Sequence, residues 1–301
     1  MTMMSTAAQA DIAPEHDEEI QARSFSREVL IRFARQKTAI VASAIIIALV
    51  VAAAFAPLLT SKDPLKGAVT ERLKPIGTPG HVLGTDEQGR DMLTRIVYGG
   101  RISLFTGVAP VLVATVIGTI IGATAGYLGG GTSNVLMRTM DMFYAFPSLL
   151  LAIAVSASLG PGVKNAIIAA SIVFIAPVSR IALAATRQEI SKEYIEAARL
   201  SGAGTPQIIS QQLLANIFST VFVYASGLVG LSILLAAGLS FLGLGARPPA
   251  PEWGYMLNSL RGAIYVQPWV AALPGLFIFA AAMSFNLLSD AINEALDIKS
   301  A

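Results

Sequence analysis

Long apolar stretches alternate with short polar ones along the chain. Six stretches, 39–59, 103–128, 139–159, 165–185, 217–240 and 269–288, are each apolar over roughly 20 residues. Backbone groups inside a hydrocarbon core must be bonded within their own segment, so each stretch is predicted to be a membrane-spanning helix. The third and fourth are separated by "LGPGVKN", a turn signal, and a tight helical hairpin is expected there. Pro110 predicts a kink in the second span. In the same span Gly118, Gly122 and Gly126 recur every four residues and cut a groove for close approach of another helix. That helix can belong to this chain or to a partner subunit.

The polar stretches carry their own patterns. In "SFSREVLIRFARQK" (24–37), Phe25, Val29 and Phe33 repeat at four-residue spacing, flanked by Arg23, Arg27 and Arg35. An amphipathic helix over 23–38, lying in the membrane interface, is expected. Residues 1–22 include the acidic "PEHDEEI" and read as a disordered tail rather than a signal peptide. The predicted organisation is a tail (1–22), an interfacial helix (23–38), a first span with an outer segment (39–100), and a core of five spans (101–301).

Between the fourth and fifth spans lies "TRQEISKEYIEAARLSGAGTPQIISQQLLANI". Ser191 is placed to cap a short helix, with Glu193 in the first turn, where negative charge suits the helix dipole. Gly202 and Gly204 stop that helix after Leu200, and Thr205 followed by Pro206 starts another. Ala197, Ala198, Ser201 and Gly202 would form a small-residue knob, braced by Glu196 and Arg199 at i, i+3.

Composition fits a membrane protein. The chain is 54% hydrophobic and 13% charged, with a mean hydropathy of +0.65; soluble domains carry about 25% charged residues. A net charge of +2 gives no reason to expect a nucleic acid partner, and the absence of cysteine removes disulfides, thiolate metal sites and cysteine nucleophiles. The spans hold almost no ionisable residues beyond Asp141 and Arg180, which disfavours the rival reading of a self-contained secondary transporter. Asp141 is expected to pair with Arg138 at i, i+3. "GYLGGG" (126–131) lacks the Lys-Ser/Thr of a phosphate loop and reads as an inner turn. Asp86, Glu87 and Asp91 lack calcium-loop spacing and read as an acidic helix start. Trp253, Tyr255, Tyr265 and Trp269 suggest an interfacial aromatic belt. The other reading makes Pro249, Pro251, Glu252 and Trp253 part of a pathway mouth. His16 and His81 lie outside the spans, which weighs against a metal path. Lys and Arg divide evenly between the two sides, but Arg32, Arg35 and Lys37 crowd the start of the first span and favour a cytoplasmic N-terminus.

"EYIEAARLSGAG" (193–204) resembles the EAA motif of permease subunits of bacterial binding-protein-dependent ABC importers, with motif positions Glu196, Ala197, Ala198 and Gly202. "HVLGTDEQGRDMLTRIVYGGRISL" (81–104), "LSFLGLGARPPAPEWGYML" (239–257), "QPWVAALPG" (267–275) and "FNLLSDAINEALD" (285–297) resemble the dipeptide/oligopeptide/nickel subfamily, and within it the second permease. The resemblance implies an all-α integral membrane protein with six transmembrane helices, the type I ABC importer permease fold. It makes 191–204 a cytoplasmic coupling helix that contacts an ATPase through Glu193, Tyr194, Glu196, Ala197, Ala198, Arg199, Gly202 and Gly204. It implies a homologous second permease, two cytoplasmic ATPases and an extracytoplasmic substrate-binding protein, in a bacterial inner membrane with both termini cytoplasmic. Catalysis and cofactors, ATP and Mg, would belong to the ATPases and none to this chain. Peptides are the implied cargo; a nickel chelate, glutathione or an opine is the alternative. The chain departs from the family at Ala215, usually proline, where a straighter start to the fifth span is expected, and at Ser289, often glycine.

Overall fold

The computed structural model describes residues 31–296. The expected tail 1–22, and Phe25 and Val29 of the expected interfacial helix, lie outside the described residues. Residues 31–35 are helical, and the helix breaks at Gln36, whose backbone is extended (φ −81, ψ 115). A distinct helix therefore precedes the first span.

Helix α1 (Lys37–Ala54) is followed by a short helical turn, Ala56–Leu59, offset at Phe55 where Pro57 enters. Then come α2 (Met92–Leu128), α3 (Gly130–Tyr144), α4 (Ser148–Leu159), α5 (Val163–Glu189), the short α6 (Glu193–Leu200), α7 (Leu214–Phe241), α8 (Trp253–Ser259) and α9 (Pro268–Leu296). Among the described residues five helices are long and apolar enough to cross a membrane, and the bent pair α3–α4 brings the number to six when counted as one span.

That bent pair corrects the expected straight span over 139–159. The chain turns by 91° between α3 and α4. Pro147 has no N–H to continue the helix and keeps Phe146 from the helical region. The Gly160–Gly162 turn then reverses the chain into α5, both glycines having positive φ. Pro110, by contrast, does not interrupt α2, which is continuous over 37 residues. At 1.5 Å per residue it is about 56 Å long, well beyond a hydrocarbon core of about 30 Å.

The most extensively packed helix pair is α2 with α5, and the glycine stripe sits in it. A Cβ at Gly118 would lie 2.9 Å from Val178, one at Gly122 2.6 Å from Ala182, and one at Gly126 2.8 Å from Thr186. The groove is thus filled from within the chain. Helix α7 packs on both α2 and α5, and α9 packs on α7 and α1. Met92, Ile96, Phe174, Ile233, Trp253 and Ile278 belong to one continuous apolar core. Ser289, where the family often has glycine, is buried against Gly227 and accepts a hydrogen bond from Ser226 at 3.0 Å.

One face of the bundle carries the segment 60–91, without strands apart from two isolated bridges. The acidic cluster is its frame. Asp91 caps α2 by accepting from the Thr94 N–H at 2.9 Å. Its other oxygen meets His81 Nδ1 at 2.9 Å and Lys62 at 3.3 Å, while His81 Nε2 lies 3.2 Å from Glu71. Asp86 is buried and accepts from Arg90 Nε at 2.6 Å, with Arg95 Nε 3.4 Å away. Burial alone would raise the Asp91 carboxyl, but Thr94, His81 and Lys62 together hold it below the usual aspartate range. Glu71 is likewise held low, by Lys74 and His81.

Gly122→Val is expected to lower stability by about 1–3 kcal/mol, read as an earlier thermal midpoint in detergent. Gly131→Ala, with nothing near its added carbon, should leave the midpoint unchanged. Because the Asp91 carboxyl is depressed in the folded state, its contribution is present at neutral pH and lost as pH falls through its folded pKa. The midpoint difference between wild type and Asp91→Asn should therefore shrink as pH falls below the usual aspartate range.

Candidate functional site

On the opposite face α6 stands between α5 and the continuous helical stretch Thr205–Phe241. It starts and stops differently from the expectation. Ser191 does not cap it; its hydroxyl donates to the Gln188 carbonyl at 3.2 Å, and Lys192 occupies the cap position without a side-chain bond. Gly204, not Thr205, is the cap residue of the next helix, where Thr205 and Pro206 open the first turn. The stop at Gly202 has a direct backbone cause. Its φ is +83, a conformation that residues with a Cβ rarely adopt, and its surroundings are open.

The inner side of α6 is fixed by apolar packing. Ile195 is fully buried against Ile208 and Leu213, with Tyr127, Tyr194 and Ala198 around them. Tyr194 donates to Glu189 at 2.6 Å, and Lys192 contacts the same carboxylate at 2.7 Å. Burial, then the bond to Glu189, pushes the Tyr194 hydroxyl up to about 12, so it remains a neutral donor at physiological pH. Arg199 does not brace Glu196. It lies over the Tyr127 ring at 5.1 Å, tying α6 to the last turn of α2. An aromatic face on a neighbouring element is a better partner here than an exposed carboxylate one turn away, whose attraction water screens.

The outward side of α6 presents Glu193, Glu196, Ala197, Ser201, Gly202 and Gly204. Ala198 turns partly inward, which corrects its place in the expected knob. Leu200 is 89% exposed at the tip. Sequence reasoning missed Leu200, Ile195 and Tyr127. The spacing of Ile195 from Ile190 and Tyr194 did not separate an inner from an outer face in a helix of eight residues.

Just beyond α6 the chain widens into a π-helical turn, Ile208–Leu213, and continues as α7 through Ala215 without a break. Wide turns of this kind recur at functional positions.

The residues proposed for a pathway mouth are mostly inside the protein. Trp253 is 1% exposed and donates from its indole N–H to the Ile96 carbonyl at 2.9 Å. A Cβ at Gly99 would collide with the Pro251 carbonyl, so the glycine lets this segment lie against α2. Glu252 is buried; it accepts from the N–H groups of Gly254 and Tyr255 at 2.9 and 2.8 Å and from Ser103 at 3.1 Å. Burial is the largest influence on its carboxyl and raises it above the usual range against those bonds. Pro251 is buried as well, while Pro249 is exposed. The "PPAPEWG" turn is thus a clamp on α2. Of the expected aromatic belt, Tyr265 and Trp269 are exposed and Trp253 is not.

The geometry makes Ile195 the anchor of α6. Ile195→Ala should cost about 2–5 kcal/mol locally and expose the 190–205 segment to limited proteolysis, while Leu200→Ser leaves its proteolysis pattern unchanged.

Residues 118–299 match the family described as the binding-protein-dependent transport system inner membrane component, and residues 24–75 match the N-terminal membrane domain of oligopeptide transport permease C. The chain is 41% identical to a glutathione transport system permease protein of Pectobacterium atrosepticum, over 91% of each chain. It is 38% identical to a di/tripeptide transport system permease protein of Pseudomonas aeruginosa, over 95% of this chain and 96% of the relative. It is 39% identical to a dipeptide transport system permease protein of Alkalihalophilus pseudofirmus, over 95% and 94%. With a helical bundle that fits a membrane and a match over most of its length, the chain belongs to the inner membrane components of binding-protein-dependent transport systems.

Proposed function

We propose that this chain is one permease half of an ATP-driven importer of short peptides or closely related solutes, and that α6 is its contact with a cytoplasmic ATPase. The observation that carries this reading is the two-sidedness of α6. One side is fastened to α2, α5 and the 208–213 turn by Arg199, Tyr194 and Ile195. The other offers small residues and a leucine that the described residues leave exposed. A helix rigid on one side and uncovered on the other can transmit a push from a partner into the spans.

In this reading α6 and both termini are cytoplasmic, and the 60–91 segment and the Trp253 clamp face outward. Arg32, Arg35 and Lys37 at the start of α1 agree with that orientation. A second, homologous permease would complete the pathway, two ATPases would bind ATP and Mg, and an extracytoplasmic protein would deliver cargo. This chain would carry no catalytic group of its own. The names of the relatives favour peptide-like cargo, with glutathione, itself a tripeptide, inside the same class. The Gly204–Pro206 junction and the π-turn at 208–213 would convert movement of α6 into movement of α7.

The test is to purify the tagged chain in mild detergent and measure co-purifying subunits, ATPase activity and peptide uptake after reconstitution. A second permease, ATPases and hydrolysis stimulated by the binding protein are expected. Leu200→Asp and Gly202→Leu should each cut peptide uptake at least tenfold, a change of about 1.4 kcal/mol in coupling, in protein that still purifies as a folded chain. A chain that transports alone, without ATP, would overturn the reading in favour of a secondary transporter.

A further inference from the structure

His81 joins two parts of the 60–91 face. Its Nδ1 lies 2.9 Å from Asp91, the cap of α2, and its Nε2 lies 3.2 Å from Glu71 in the short turn Val69–Glu71. Each ring nitrogen therefore faces a carboxylate oxygen. A carboxylate only accepts, so both bonds exist together only while the ring carries two protons. A neutral ring has one proton and must turn the lone pair of its other nitrogen toward a carboxylate. Histidine is the side chain whose charge ordinarily changes between about pH 5 and 8.

The groups around the ring decide which bond is lost. Lys62 lies 3.2 Å from Nδ1 and 3.3 Å from Asp91, and it also donates to the Gly80 carbonyl. Lys74 lies 3.2 Å from Glu71. Further out, Asp63 and Lys66 pair with each other at 3.5 Å, and Asp86 is engaged by Arg90 and Arg95. Both carboxyls on the ring are held below their usual ranges, so they stay ionised while an imidazole titrates. The Asp91 side chain is 7% exposed and that of Glu71 38%. The Asp91 contact is the shorter and the drier of the two. An unmatched lone pair costs more there than at Glu71, where water can enter. The last ring proton therefore stays on Nδ1, and Nε2 is the nitrogen that gives its proton up. Glu71 is then left with Lys74. His81, Glu71 and Asp91 border an open cavity of about 330 Å³, which gives solvent protons a route to the ring.

We propose that His81 is a proton-operated latch. Doubly protonated, it ties the 69–71 turn to the cap of α2; with one proton it keeps Asp91 and releases Glu71. The backbone beneath the latch is closely fitted. A Cβ at Gly67 would strike the Gln88 carbonyl, and one at Gly89 the Ala68 carbonyl. Opening the latch therefore loosens the 66–71 stretch without unfolding it. The latch rests on these contacts alone. That it reads the pH outside the membrane rests on the orientation proposed above.

The test uses the full chain in mild detergent. Trypsin cleavage after Lys66 is timed between about pH 6 and 8.5, in wild type and in Glu71→Gln. Comparing the two at each pH cancels the pH dependence of the protease. A glutamine amide accepts from a protonated Nε2 and donates to a bare one, so Glu71→Gln should stay latched throughout. The ratio of wild-type to variant cleavage should rise about fivefold across the range, the scale of one partly exposed charge-assisted bond. In His81→Gln, which has no ring to titrate, the same ratio should be flat. The chain has two histidines, His16 and His81, so His16→Gln leaves a single ring for nitrogen-15 resonance. Both of its nitrogens should carry protons at the acid end, and Nε2 alone should lose its proton as pH rises. A flat wild-type ratio, or loss of the Nδ1 proton in place of the Nε2 proton, would overturn the latch and leave the importer reading intact. In spheroplasts, added trypsin should cut after Lys66; cleavage only after lysis would overturn the orientation and leave the latch standing.

Discussion

The approach of α2 to α5 is the constraint from which the rest of the structure follows. Lipid offers no hydrophobic gain for joining two helices, so they associate by fitting closely. Gly118, Gly122 and Gly126 remove the side chains that would hold them apart, and Val178, Ala182 and Thr186 occupy the space. Once α2 lies against α5, the positions of α7 and α9 are set by what remains of their surfaces. The same contact places Tyr127, one residue beyond the last of those glycines, beside Arg199.

Because α2 is one continuous helix, its two ends are mechanically related. One end is held in a polar frame by Asp91, Thr94 and the ions around His81, and is clamped by Trp253 and Glu252. The other holds α6 through Arg199. An importer must link the delivery of cargo on one side of a membrane to ATP use on the other, and a rod fixed at both ends suits that task. On the other side of α6 the π-turn at 208–213 interrupts regular α-helix before α7.

The charges follow the same logic. On the 60–91 face Asp86 and Asp91 are partnered within a folded loop, and their burial is tolerated because each has donors. Asp141 and Arg180 are the exception among the spans: paired, but open. Their side chains are half-exposed, which leaves room for water or a partner in front of them.

The sequence by itself determined the spans, the short polar helix and its glycine stop, because each rests on local chemistry: apolar length, proline, and a backbone angle that favours glycine. The glycine period announced a close contact without naming its partner. What only the tertiary structure decided were the pairings. Arg199 chose Tyr127 over Glu196, Asp141 chose Arg180 over Arg138, and Trp253 went inside rather than to the membrane interface. The physical reason is common to all three. A side chain's nearest neighbours along a helix offer a few tenths of a kcal/mol, and any well-placed group on another helix exceeds that. Which group is well placed depends on how the helices lie against one another, and that is not written in any local stretch. The broken third span lies between the two cases: Pro147 is a local cause of the break, but the sequence reading ran one span through it, and the 91° turn between α3 and α4 appeared only in the folded bundle.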